Sequence, residues 1–372
     1  MNARQDGHTF LPRVCINSHK SGHSVSMTHE RSPGKDELMR KGRASIEFEH
    51  APHIICGASV VGPKEGAGPL GCLFDFVDTD GKMGQKSWEE AESQLQKKAA
   101  ELAVQKSAVP RNRIRYAFAG DLLGQCVASS YGMEEEGYPL FGVYGACSTM
   151  GETLSLASMA IAADYAEYAL CVTSSHFASA ERQFRFPSDY GNQRPFSATW
   201  TVTGSAALVL GQENGIARVT GITTGRIIDY GVRDSMNMGA AMAPAAADTI
   251  CRHFQDFEAE IPSYDKIITG DLGVVGQKIL IELMKEKGYD ISSRHMDCGI
   301  EIFNAEQQDT HAGGSGCGCS AVTLASYILP LLEKKTWKKI LFVPTGALLS
   351  KISFNEGQSV PGIAHAVRIE AI

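Results

Sequence analysis

The sequence predicts an α/β protein assembled from two related halves, and three observations carry that prediction. Helix-period and strand-period segments alternate through most of the chain. The segment "AFAGDLLGQ" (117–125) returns as "IITGDLGVVGQ" (267–277), so Gly120-Asp121-Leu122 recurs as Gly270-Asp271-Leu272, 150 positions on. A turn–helix–strand block follows each copy: Cys147 lies 26 residues before Thr173, and Cys319 lies 26 before Thr345. Two ordered landmarks with matched helix lengths are not easily produced by chance.

In chain order, residues 1–45 stand apart. They hold eight Lys/Arg, four Asp/Glu and four His, with no apolar periodicity. Such a stretch buries too little surface to offset chain entropy, which predicts a disordered extension foreign to the fold, with Met39 as the natural start. A basic tail that meets anionic lipid is the alternative. The two halves then run over 46–215 and 216–372. "SWEEAESQLQKKAAELAVQKSA" (87–108) is rich in helix formers, and "RIRYAFAG" (113–120) follows as a strand. "GETLSLASMAIAADYAEY" (151–168) is a small-residue apolar helix, hence buried on most sides, and leads into the strand "ALCVTSS" (169–175). "FSATWTVTGSAALVLG" (196–211) reads as a core strand and "MGAAMAPAAADTICRHF" (238–254) as the start of another small-residue helix.

Length and composition bound the function. The 372 residues, 43% apolar and 21% charged, suffice for two domains or one large α/β unit. The net charge of −7 hides 27 Lys/Arg against 38 Asp/Glu in residues 46–372, a body near −11, which argues against nucleic acid as a partner. The longest apolar stretches, 154–172 and 321–332, are interrupted by Asp164, Glu167 and Pro330 and fall short of the roughly 20 residues a spanning helix needs. The first 45 residues contain no signal-peptide core. A soluble chain that docks on a membrane complex fits these limits. The ten cysteines sit largely in apolar runs and read as packing thiols of a reducing compartment rather than a disulfide framework.

Three segments can carry chemistry. "YGACSTMG" (144–151) sets Cys147 and Ser148 at the head of a long helix, where the helix dipole favours a thiolate and free N–H groups can receive an anion. Cys147 is either that nucleophile or a buried packing residue. "HAGGSGCGCSA" (311–321) places Gly314 and Ser315 in a glycine-rich turn that permits close approach of a ligand or simply tight helix packing. It lacks the Lys-Ser/Thr of a phosphate loop, and Cys317-x-Cys319 with His311 lacks the second ligand pair of a zinc site, so no metal is expected. "TSSHFASAERQFRFP" (173–187) brings His176, Arg182 and Arg185 just past a strand end, where ligands of open α/β sheets bind. The arginines either clamp carboxylates or, through Glu181-Arg182, form a structural ion pair.

The duplicated half with a cysteine heading the buried helix resembles the thiolase and ketoacyl-synthase superfamily. That resemblance implies a five-layered α-β-α-β-α fold. More narrowly, "GPKEGAGPLG" (62–71), "AGDLLGQ", "FGVYGACSTMGE", "TSSHFASAERQFRFP", "MGAAMAPAAADTI", "TGDLGVVG", "AGGSGCGCSA" and "TGALLS" together resemble the stage V sporulation protein AD family of spore-forming bacteria, over nearly all of 46–372. The family resemblance implies binding of dipicolinic acid (pyridine-2,6-dicarboxylate) and work with membrane-embedded proteins of the same operon. It places the protein peripherally at the inner spore membrane, as part of the machine that loads the compound into the forespore. A homodimer is implied by the superfamily, and calcium enters only as the dipicolinate chelate, with no other cofactor.

Acyl transfer in the superfamily needs a cysteine and two polar groups, His/His or His/Asn, from the second half. Cys147 matches the nucleophile. The loop that should supply the first histidine reads "TGDLGVVG", its nearest polar residue being Asp271, and the second position falls on Ser315. A carboxylate opposes thiolate formation. The resemblance therefore implies a binding protein whose pocket draws on Cys147, Ser148, His176, Arg182, Arg185, Asp271, Gly314 and Ser315. A residual acyl-transfer enzyme using Cys147 and a docking scaffold with a vestigial pocket are the alternatives.

Overall fold

Alternation within the strands sets the layering. In a computed structural model that describes residues 39–185 and 194–372, the first half contributes β1 (His53–Val61), β2 (Ile114–Gly120), β3 (Leu140–Gly142), β4 (Tyr168–Ser175) and β5 (Gly204–Gly211). The second contributes β6 (Ala217–Thr223), β7 (Lys266–Thr269), β8 (His295–Asp297), β9 (Lys339–Val343) and β10 (Ala366–Ala371). Their spatial order is β1-β5-β4-β2-β3 and β6-β10-β9-β7-β8, the same order twice. The two runs join where β6 meets β1 through Ala217↔Ile54 and Arg218↔His53.

Successive strand residues point to opposite faces, so each strand feeds two cores. Along β4, Ala169 and Cys171 enter a central core while Leu170 and Val172 enter an outer one. Along β9, Ile340 and Phe342 face the same central core, and Leu341 and Val343 face the other outer one. Both faces of both half-sheets are thus apolar, which explains why these strands read as continuous hydrophobic runs. The central layer holds α3 (Thr149–Ala162) and α7 (Cys317–Thr323), which touch each other between the sheets. Small residues such as Ala157 and Ala321 let them fit there. Outside the first half-sheet lie α1 (Trp88–Ser107) and α2 (Val127–Glu134), and outside the second lie α5 (Met238–Asp256) and α6 (Gly273–Glu286). This is the five-layered α-β-α-β-α arrangement expected of a thiolase-like fold.

Two sequence expectations need adjustment. The N-terminal boundary at 45 moves back: Arg40–Lys41 pairs with Ser45–Glu47, which in turn pairs with β6. Asp256 ties this strand down by accepting from the Ala44 N–H (3.2 Å) and the Ser45 hydroxyl (2.8 Å), a long-range anchor that composition does not reveal. Residues 1–38 lie outside the described residues. The register of the repeat also shifts. Measured from the helix caps, Ser148 of α3 corresponds to Gly316 of α7, so Ser315 and not Cys319 stands where Cys147 does. Cys319 is inside α7 with its thiol on the Gly270 carbonyl (3.6 Å). A π-helical turn at Leu324–Ile328 follows α7 and gives this helix a pitch the first half lacks. Cys317 points at the Ser174 carbonyl (2.8 Å) and His311 at the Pro195 carbonyl (2.9 Å), so the residues considered for zinc do not converge.

α1 starts at a reciprocal cap: Ser87 Oγ accepts from the Glu90 N–H (3.2 Å) and Glu90 Oε2 from the Ser87 N–H (3.1 Å). Ser87→Ala is expected to lower stability by about 1 kcal/mol, read as a shifted urea midpoint with an unchanged slope.

Candidate functional site

The segments that follow β2, β3, β4 and β9 build a pocket. Leu122 follows β2; Ala180, Phe184 and Arg185 belong to or cap α4 (Phe177–Phe184), which follows β4; Ala347 and Leu349 follow β9. The turn Tyr144–Cys147, the pair Thr201 and Ser315 from two short parallel strands, and Met238 complete it. The pocket is a narrow cleft: its enclosed space is about 30 Å³, room for a water or two, so a larger ligand has to widen it.

Backbone contacts hold the cysteine turn in place. Ala146 carries a positive φ of 49°, and the Ser148 N–H (3.0 Å) and hydroxyl (2.7 Å) both donate to the Gly145 carbonyl. The Thr149 hydroxyl donates to the Ala146 carbonyl (2.6 Å). Gly346 backs onto this turn so closely that a Cβ there would lie 2.3 Å from the Gly145 oxygen. Gly316 opens α7 at φ 101°, a left-handed conformation that excludes most side chains, with Ser175 Oγ where its Cβ would be.

Cys147 is buried, and its thiol donates to the Asp271 carboxylate. Asp271 also accepts from the Thr345 hydroxyl (2.7 Å, Oδ1) and the Gly316 N–H (3.0 Å, Oδ2). Burial, reinforced by the negative charge of Asp271, pushes the Cys147 thiol well above the ordinary thiol range. Burial likewise pushes Asp271 up to about 7. The helix dipole that favours a thiolate at the head of α3 is outweighed by these two effects. As it stands, the arrangement holds a protonated thiol against a carboxylate, and no histidine lines the pocket among the described residues.

The structure brings Cys147, Arg185 and Ser315 to the pocket wall with Asp271 directly behind the thiol. Ser148 and Gly314 are buried beside it and spend their polar groups on the fold. His176 is elsewhere. Its Nδ1 accepts from the Ala178 N–H (3.1 Å), capping α4, and its Nε2 faces the Gly81 carbonyl (2.7 Å). Accepting at one nitrogen and donating at the other fixes a neutral ring, and burial lowers its pKa. Arg182 is exposed and pairs with Glu89 of α1 (3.3 Å), so the ion pair read as Glu181-Arg182 is in fact Glu181–Arg185 and Arg182–Glu89. The apolar wall of Leu122, Phe184, Met238 and Leu349, together with Glu181 and Tyr144, had no signal in the sequence beyond lying near strand ends or turns.

Comparison with known proteins bears on this geometry. A sequence profile of the family described as Stage V sporulation protein AD (SpoVAD) matches residues 42–370. The Stage V sporulation protein AD of Bacillus subtilis (strain 168) is 44% identical over 329 residues, which covers 88% of this chain and 97% of that protein. Among solved structures, a variant of OleA from Xanthomonas campestris superposes with a TM-score of 0.56 at 14% identity, over 87% of this chain and 97% of that one. The 3-oxoacyl-[acyl-carrier-protein] synthase III of Aquifex aeolicus gives 0.53 at 12%, over 86% and 100%. At such identities these enzymes share the fold, and the chemistry has to be argued from the pocket itself.

Proposed function

Because the chain belongs to the stage V sporulation protein AD family, we propose that it binds dipicolinic acid without turning over an acyl substrate. In this reading it is the extramembrane component of a complex that loads the compound into the forespore, seated peripherally on the inner spore membrane. It works there with membrane-embedded proteins of the same operon, as a homodimer. No helix among the described residues is long and apolar enough to cross a membrane, so any membrane attachment of those residues would come through partners or the surface.

One observation carries the reading: the thiol at the nucleophile's position is held protonated by burial and by Asp271. Acyl transfer needs that sulfur as a thiolate, or a base beside it to take the proton. Asp271 is spoken for by the Thr345 hydroxyl and the Gly316 N–H, and Ser315 offers no base. The lining of this cleft suits a flat, acidic ring, for which the cleft has to widen. Leu122, Phe184, Met238 and Leu349 supply apolar surface, and Arg185 supplies a guanidinium able to meet a carboxylate in a two-point contact. No cofactor is needed for this role, and calcium would enter only as the dipicolinate chelate.

Isothermal titration with dipicolinate, with and without calcium, tests the proposal. Arg185→Ala is expected to weaken binding at least tenfold, the usual scale of a lost charge-assisted contact. Cys147→Phe, which fills the pocket, is expected to abolish it. Unchanged affinity in both variants would remove these residues from the site. Stoichiometric acylation of Cys147 by an acyl-coenzyme A, followed by turnover, would establish the enzyme reading instead.

A further inference from the structure

We propose that Glu181 is a built-in stand-in for the ligand: its carboxylate occupies the Arg185 guanidinium, and an incoming carboxylate takes its place there while Glu181 turns to Arg194. The inference rests on the reading of this pocket as an anion site and adds how that site is kept and released.

Four observations lead to it. Glu181 and Arg185 both line the pocket and pair with each other one helical turn apart, each side chain only 12% exposed. Among the described residues lining the pocket, Arg185 is the one cation. Its neighbour Arg182 is turned away onto Glu89 and does not compete for either partner. Most telling is Arg194. Its side chain is 5% exposed, its Nη2 donates to the Asp309 carbonyl (2.7 Å) and to the Asp309 carboxylate (3.2 Å), and its Nη1 is buried with no hydrogen-bond partner. A buried guanidinium N–H left unmade is costly, and Arg194 is near enough to stabilise the Glu181 carboxylate electrostatically.

The physics of an exchange follows. Burial is the largest influence on Glu181 and works against its charge, so the carboxylate is kept in the pocket by the two guanidiniums. A ligand carboxylate that binds Arg185 must first break the Glu181 pair. Its apparent affinity is reduced by the fraction of time the guanidinium is occupied. Moving Glu181 toward Arg194 keeps its carboxylate beside a guanidinium, shared there with Asp309, and satisfies the open Nη1–H. Without that second donor, displacement would strand a buried carboxylate. Glu181 therefore acts as a specificity filter: neutral ligands gain nothing by entering, and an anion must outcompete an internal one.

The test is a mutant cycle on the full chain, with dipicolinate and, as a second probe, benzoate, each titrated calorimetrically. Glu181→Gln, which keeps shape and removes charge, is expected to bind both probes about tenfold more tightly than the native protein. Glu181→Ser should do the same if the glutamine side chain disturbs the helix. In an Arg185→Ala background the substitution is expected to change nothing. Circular dichroism melts establish that all variants are folded. Dipicolinate binding that Glu181→Gln leaves unchanged, or weakens as Arg185→Ala does, overturns the inference while the proposed function stands. Benzoate binding tightened by Glu181→Gln in a protein that never binds dipicolinate supports the inference and overturns the proposed ligand. Folded variants that bind neither probe overturn both.

Discussion

Gly346→Val is expected to destabilise the protein by roughly 3 kcal/mol or more and to eliminate ligand binding. The reason is distance. A Cβ at 346 would fall 2.3 Å from the Gly145 carbonyl oxygen and 3.1 and 3.3 Å from the N atoms of Ser148 and Cys147, all of them backbone that cannot rotate away. Either the short strand Thr345–Ala347 moves, taking the Thr345 hydroxyl off Asp271, or the cysteine turn moves, taking the thiol out of the pocket. Both outcomes dismantle the same site. Gly142→Ala is the control, since a Cβ there meets nothing within 4 Å and the edge strand stays intact. Urea unfolding and dipicolinate titration on the pair decide the matter. A valine at 346 with native stability and affinity would mean that the packing around Gly145 is looser than the structure has it.

The second large expectation concerns pH. Glu65 and Asp271 are fully buried carboxyls that burial pushes up to about 7, and Glu92, beside Asp121 in another buried cluster, is pushed up as well. A carboxyl that binds its proton more tightly folded than unfolded loses stability as pH rises from its unfolded value through its folded one. His253, held down at about 3, and His295 and His365, at about 4, work the other way: their unfolded forms take up protons below about 6.5, so they cost stability only on the acid side. The two sets oppose each other below pH 6.5; above it the carboxyls act alone until pH approaches 8.5, where the buried thiols add to the fall because they ionise only in the unfolded chain. Stability is therefore expected to fall between pH 6.5 and 8.5, by about 0.8 kcal/mol for each group titrating near 7. Urea unfolding at pH 6.5, 7.5 and 8.5 measures the fall, and Asp271→Asn is expected to remove its own share. Stability that is flat or rising over this window would show that these carboxyls are ionised well below neutrality in the native state.

Much of the fold was legible because it is duplicated. The repeated Gly-Asp-Leu marks the ends of β2 and β7, where the chain turns at the same place in both half-sheets. What each aspartate does there was not legible. Asp121 accepts from the Leu123 N–H and from Ser129, both nearby in sequence, and serves its own turn. In the second half that local duty falls to Asp297, which accepts from the N–H groups of Leu272 and Gly273. Asp271 is thereby released to meet Thr345, Gly316 and Cys147. The same motif carries two roles because the partners come from elsewhere in the chain.

The cations show a similar limit. Arg182 and Arg185 are three apart, and both lie just past the end of β4 in the sequence. Arg185, however, is the C-cap of α4 with φ −124°, already off the helix, and its side chain swings inward while Arg182 stays out on Glu89. His176 sat at the right strand end, yet its ring is drawn off by the Gly81 carbonyl, 95 positions earlier in the chain. Position relative to strand ends could be read from the sequence; side-chain direction could not, because it depends on distant partners.

The protonated state of the thiols also bears on time. Oxidants attack thiolate, so the rate at which a cysteine is lost to sulfenic and higher acids scales with its ionised fraction. Burial holds Cys147, Cys298, Cys317 and Cys319 far above the ordinary thiol range, and Cys171 is raised as well. These sulfurs should age slowly under peroxide. Exposed Cys72, which lines no part of the pocket, should be spent well before them. A site that keeps a reactive thiolate has to be renewed; one whose thiol stays protonated can wait.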